Sequence, residues 1–149
     1  MRITRRNFHH EYEELESYEA GVSLLGGEVK QIRAGHAQLE GAYVKFIGNS
    51  PQLINALIPP YPYASMLDYD PRRTRKLLLK QREIIKLQTK LSAHKGLTIA
   101  PKSWYTKGRL IKMEIALVKG LGDVEKKKLV KARDIKLEQK KMMKEYMKS

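Results

Sequence analysis

Between Arg109 and Lys119, Ile111, Met113, Ile115 and Leu117 alternate with Lys112, Glu114 and Ala116. A period of two marks a strand with one face buried, and it sends Lys112 to the outer face. Upstream, Leu97-Thr98-Ile99-Ala100 to Trp104-Tyr105 runs into a Lys107-Gly108 turn, so the two segments read as a hairpin. A second hairpin is written in Ala42 to Ile47, the turn Gly48-Asn49-Ser50-Pro51, and Gln52 to Ile58, ended by Pro59-Pro60. The β-formers Tyr18, Val22 and Leu24 predict a further strand from Ser17 to Leu25, interrupted by Gly21.

Two helices flank these strands. Gly26-Gly27 opens a short one over Glu28 to Ala34, ended by Gly35, with Val29 and Ile32 on one face. Ile84, Leu87 and Leu91 predict an amphipathic helix from about Lys80 to His94, stopped by Gly96, with Gln81, Lys86 and Lys90 on its other face. The polar residues 1–14 are expected to form a loose arm, the core to begin near Leu15, and the Pro- and Tyr-rich stretch 61–69 to be an irregular loop. From about Asp123 to Ser149 the chain is rich in Lys and helix formers but has no clean apolar stripe. This tail is expected to be disordered alone and helical when bound to something acidic. The expected organisation is thus an arm (1–14), a mainly β domain with flanking helices (15–120) and a basic tail (121–149).

Charge narrows the partner. Net charge is +14, with a pI near 9.9, and nucleic acid is the default ligand for such a chain. Residues 1–69 hold six Lys and Arg against eight Asp and Glu, whereas residues 70–112 hold thirteen against two. Cysteine is absent, which leaves no disulfide framework, thiolate nucleophile or Cys-based zinc site and fits a reducing cytoplasm. Met1-Arg2-Ile3-Thr4-Arg5-Arg6 is followed by no apolar leader, and the apolar runs are only a few residues long, so neither secretion nor membrane insertion is expected.

The basic surplus is densest in Asp70-Pro71-Arg72-Arg73-Thr74-Arg75-Lys76-Leu77-Leu78-Leu79-Lys80, where a cationic turn feeds an apolar, helix-forming stretch. Pro71 restricts Asp70, so Arg72, Arg73, Arg75 and Lys76 are expected to project from a turn with their heads in water, as a phosphate clamp. Lys102, Lys107, Arg109 and Lys112 share the later hairpin. Of Trp104 and Tyr105, one could stack on bases while the other points into the core. Other features carry less. His9, His10, His36 and His94 have no metal-ligand spacing, and Glu11, Glu13, Glu14, Glu16 and Glu19 read as a solvated face of the arm. Neither Gly26-Gly27 nor Gly120-Leu121-Gly122 completes a nucleotide-binding fingerprint. No catalytic group, metal or cofactor is expected.

The order of motifs resembles the SsrA-binding protein family, the protein partners of transfer-messenger RNA in bacterial ribosome rescue. The matching segments are Tyr18-Glu19-Ala20-Gly21, Gly27-Glu28-Val29-Lys30, Ile32-Arg33-Ala34-Gly35, Tyr43-Val44, the run from Asp70 to Glu83, and Ala116-Leu117-Val118-Lys119-Gly120. The resemblance implies an oligonucleotide-binding-like antiparallel β-barrel, whose closure the periodicity alone does not fix. It also implies an adaptor role: binding the transfer-RNA-like domain of transfer-messenger RNA and delivering it to stalled ribosomes. Carried over by position, the family's RNA contacts fall on Glu19, Leu78, Lys80, Lys112 and Gly120, with His10 and Tyr12 beside them. The clamp residues Arg72, Arg75 and Lys76 join them on charge. In the tail, Lys126, Lys127, Lys131, Arg133 and Lys136 would meet small-subunit ribosomal RNA at the decoding site and messenger channel. Elongation factor Tu and alanyl-tRNA synthetase would be reached only through the RNA. Val124 stands where the family has an aromatic residue or His, and it cannot stack.

A ribosomal-protein-like structural module is the alternative that the basic surfaces also fit. An RNA-modifying enzyme would need a carboxylate pair, a metal cluster or a nucleophile with its base, and the sequence offers none of these.

Overall fold

A computed structural model of the chain describes residues 1–120. Seven strands form one antiparallel sheet: β1 (Arg2–Thr4), β2 (Tyr12–Val22), β3 (Tyr43–Ile47), β4 (Ser50–Ile54), β5 (Arg75–Leu78), β6 (Leu97–Lys107) and β7 (Leu110–Gly120). The order β6-β3-β4-β5-β2-β7 returns to β6 through the β6–β7 pairing, so six strands close a ring and β1 lies on the outer edge of β6. Closure is the barrel that the family resemblance implied. It removes the exposed edges that an open sheet of these strands would present.

The alternation in β7 holds. Ile111, Met113, Ile115 and Leu117 are buried in the barrel with Trp104, Ile99, Leu53 and Leu77. Both expected hairpins form with shifted bounds: Ser50 and Pro51, expected in a turn, pair in β4, which ends at Ile54 rather than Ile58, and Lys107 belongs to β6. The hairpin of β6 and β7 turns through Gly108 and Arg109, where Gly108 takes φ +60°, a left-handed value that glycine adopts without strain. Helix α2 (Gly26–Arg33) buries Ile32, and helix α3 (Gln81–Ala93) buries Ile84 and Leu87. The periodicity in each had predicted that face.

Three expectations are corrected. Residues 2–11, expected as a loose arm ahead of a core starting at Leu15, are tied to the barrel. Strand β1 pairs with β6, and helix α1 (Phe8–Glu11) buries Phe8 against Ala100, Ala116 and Val118. The buried Arg5 guanidinium donates to the Ala42 carbonyl at 2.7 Å and to Glu11 at 2.9 Å, which fixes the segment between them. Leu15 itself is exposed.

Of the acidic residues read as a solvated face of the arm, Glu11 lies on α1 against Arg5 and Glu13 is exposed on β2, whereas Glu14, Glu16 and Glu19 on β2 are paired with lysines. Glu14 meets Lys102 at 3.0 Å, Glu16 meets Lys90, and Glu19 meets Lys107 at 3.2 Å. Finally, the stretch after the basic turn starts as strand β5 rather than as helix. Its residues alternate inward and outward, with Arg75 and Leu77 buried and Lys76 and Leu78 exposed. Among the described residues, no helix is long and apolar enough to cross a membrane.

Candidate nucleic-acid interface

Strand register assembles one outer face. Leu78 on β5 lies opposite Gly21 on β2, Gly21 opposite Lys112 on β7, Lys112 opposite Tyr105 on β6, and Tyr105 opposite Arg2 on β1. This transverse row presents an apolar side chain, bare backbone, a cation, an aromatic ring and a second cation. Leu78 is 55% exposed, unusual for a leucine on a strand and consistent with an apolar contact for a partner. At Gly21 a Cβ would come within 3.2 Å of the Leu78 Cβ, so glycine keeps the strip between Leu78 and Lys112 open.

The expected contacts separate into three places. Glu19, Leu78 and Lys112 meet on this face, and Lys76 shares the outward side of β5 with Leu78. Exposed Lys80 follows directly as the N-cap of α3, its backbone N–H bonded to Glu83 at 3.2 Å. Tyr12 and Gly120 are register partners at the far end of the β2–β7 ribbon, beside His10 on α1. Tyr12 packs on the Phe8 cluster with the Arg5 guanidinium 5.2 Å from its ring centre. The tail residues Lys126, Lys127, Lys131, Arg133 and Lys136, together with Val124, lie outside the described residues.

The clamp is the third place, and it is the principal correction. Arg75 is completely buried, not hydrated. Its guanidinium donates to Glu28 at 2.6 Å, the Ala56 carbonyl at 2.7 Å, the Tyr69 hydroxyl at 3.0 Å and the Pro71 carbonyl at 3.1 Å. Arg73 pairs with the same Glu28 carboxylate, which also accepts from Tyr69 at 2.9 Å and from the Leu25 N–H at 2.8 Å. The bonds of Glu28 and Arg75 are therefore made within the protein, and the fully buried Arg75 offers no charge to RNA. Burial would raise the Glu28 pKa, but the bonds from Arg73, the Leu25 N–H and Arg75 outweigh it and hold the carboxyl below its ordinary value. Exposed Arg72 donates to the Asn55 carbonyl at 3.2 Å, leaving Lys76 as the clamp residue that shares the Leu78 face.

Trp104 and Tyr105 divide as the alternation requires. Trp104 is buried in the core, and Tyr105 lies outward with its hydroxyl donating to Glu19 at 2.6 Å. Sequence reasoning left this pair open. The parity of Lys112, directly opposite Tyr105, was the signal that decides it. Among the described residues, no group of His, Asp and Glu side chains is placed to hold a metal ion.

A closed small barrel with an outward row of cation, aromatic and leucine defines the class: a β-barrel protein of the RNA-binding kind. A family model described as SmpB protein matches residues 3–145, and the chain belongs to that family. It is 45% identical over 135 residues to the SsrA-binding protein of Persephonella marina, covering 91% of this chain and 88% of the relative. To the SsrA-binding protein of Deinococcus radiodurans it is 46% identical over 117 residues, 78% of this chain and 81% of the relative. A solved structure described as "tmRNA-SmpB: a journey to the center of the bacterial ribosome" superposes with a TM-score of 0.68 at 38% identity, covering 87% of this chain and 94% of that one.

Proposed function

We propose that the protein is a cytoplasmic, non-enzymatic adaptor that binds the transfer-RNA-like domain of transfer-messenger RNA and delivers it to stalled ribosomes. The observation that carries this reading is the convergence of Leu78, Gly21 and Lys112 from three strands onto one outer face, with Lys76 and Lys80 on the same approach. Membership of the SmpB family and relatives named SsrA-binding proteins support it. Lys112 and Lys80 neutralise phosphates, Leu78 packs on a nucleotide, and Gly21 lets the backbone of the RNA come close. The tail cations Lys126, Lys127, Lys131, Arg133 and Lys136 serve the ribosomal RNA of the small subunit. Elongation factor Tu and alanyl-tRNA synthetase meet the complex through its RNA.

Binding of transfer-messenger RNA compared with bulk transfer RNA, measured across a salt series, tests the reading. Selective binding is expected, and replacing Lys80 and Lys112 together with alanine should flatten the salt slope by about 1 to 2 with the fold intact. Equal affinity for bulk transfer RNA would overturn the adaptor reading, and an unchanged slope in the double variant would remove this face as the interface. A protein that copurifies with ribosomal subunits while showing no selectivity for transfer-messenger RNA would favour the structural-module reading instead.

A further inference from the structure

Glu19 is out of place on a face that meets a polyanion, since its charge repels phosphate. Both of its oxygens are committed within the protein: Oε2 accepts the Tyr105 hydroxyl at 2.6 Å and Oε1 the Lys107 ammonium at 3.2 Å. Those bonds hold its pKa below the ordinary carboxylate value, Tyr105 contributing most, so it stays ionised. The Tyr105 ring is thereby drawn from β6 across β7 to β2. The Arg2 guanidinium stands 4.8 Å from the ring centre and is itself anchored to Ser103 at 2.8 Å and Glu114 at 3.0 Å. The ring is therefore held at its hydroxyl end and on one face. Beside it, Arg2, Ser17, Glu19, Tyr105 and Glu114 border an open recess of about 380 Å³.

We propose that this recess takes an unpaired nucleobase of the bound RNA, with Tyr105 as the direct contact and Glu19 as the residue that positions it. The proposal rests on the RNA-binding reading above and deepens it. A base suits the recess better than a phosphate does. Its ring can pack on the Tyr105 and Arg2 planes, and being uncharged it is not repelled by the Glu19 and Glu114 carboxylates as a phosphate would be. A tyrosine already fixed in place loses little further freedom on contact, which favours binding. Lys112, adjacent in the row, is left to neutralise the backbone of the same nucleotide.

A double-mutant cycle in the full chain, read as affinity for transfer-messenger RNA over a salt series, tests this, with urea midpoints checking that each variant folds. Tyr105→Ala should weaken binding about tenfold or more, the scale of one stacked base. Its salt slope should not change, because no phosphate contact is lost. Glu19→Ala should weaken binding too, and the double variant should bind no worse than Tyr105→Ala, since Glu19 acts through the ring. Glu19→Gln keeps an acceptor for the hydroxyl and should lose less affinity than Glu19→Ala; a loss equal to that of Glu19→Ala counts against the positioning role. Wild-type affinity in Tyr105→Ala, or a flattened slope, overturns the base contact. Additive losses overturn the positioning role. Should Tyr105→Ala not fold, Tyr105→Phe decides: it keeps the ring, frees it from Glu19, and should make the Glu19→Ala change silent. A loss on Glu19→Ala in that background overturns the proposal. Failure of the parent to select transfer-messenger RNA is a different result, and it would fall on the function rather than on the recess.

Discussion

Arg75→Ala is expected to destabilise the fold by about 3–5 kcal/mol, the range for removing one partner from a buried ion pair. RNA affinity of whatever remains folded should be nearly unchanged. Glu28 is completely buried, and without Arg75 its carboxylate would keep only the half-buried Arg73 as a counter-charge, while the Ala56 and Pro71 carbonyls and the Tyr69 hydroxyl would each lose a donor. Arg75→Lys should recover only part of the loss, because a single ammonium cannot reproduce the forked donors that reach four partners. Urea unfolding followed by circular dichroism reads the change directly. A loss below about 1 kcal/mol with weakened RNA binding would return Arg75 to the interface.

The same cluster makes stability depend on acid. Because the folded Glu28 pKa lies below its unfolded value, its contribution is complete above that unfolded value, about 4.3, and is lost as pH falls through the folded one. The variant Glu28→Gln should be destabilised at neutral pH and should show a shallower decline in stability below about pH 4.

How far the sequence could be read follows from where each residue's partner lies. Ile111 to Leu117 and Ile84 to Leu91 disclose their faces because the period is internal to one segment. Arg75 does not, since what buries it is Glu28, far away in the chain, and a cationic run looks the same whether its members face water or a carboxylate. The parity of Arg75-Lys76-Leu77-Leu78 was the available signal, because an inward Leu77 requires an inward Arg75. The N-terminal segment hid for another reason. A three-residue strand and a four-residue helix are too short for any period to register, and only Phe8, an aromatic among polar neighbours, marked the contact that holds them. Glu14, Glu16 and Glu19 read as solvated because their lysines arrive from β6 and α3. For the proposed interface, the family resemblance pointed to Glu19, Leu78 and Lys112. Strand register supplied what linear reading lacks, the alignment of Leu78, Gly21, Lys112, Tyr105 and Arg2 in one row.

Truncation after Gly120 is expected to leave the barrel folded and transfer-messenger RNA bound, while abolishing rescue. The ring of strands is complete at that residue, since the last pair of the β2–β7 ribbon is Tyr12 with Gly120 and β6 already pairs with both β3 and β7. The cations assigned to the RNA face, Lys76, Lys80 and Lys112, all lie before the cut. Residues 121–149 are a separate electrostatic body in the sequence, with ten Lys and Arg against five Asp and Glu. Such a segment needs a dense anionic surface to offset the entropy of ordering, and the ribosomal RNA of the messenger channel is the surface that the adaptor reading provides. Two measurements separate the outcomes: affinity of the truncated protein for transfer-messenger RNA, and peptide tagging on ribosomes stalled without a stop codon in a reconstituted system. Affinity within about threefold of the full chain together with no tagging is the expected pair, a change smaller than the loss of one phosphate contact would cause across a salt series. Full tagging by the truncated protein would sink the channel role of the tail, and loss of RNA affinity would mean that the tail completes the RNA-binding face.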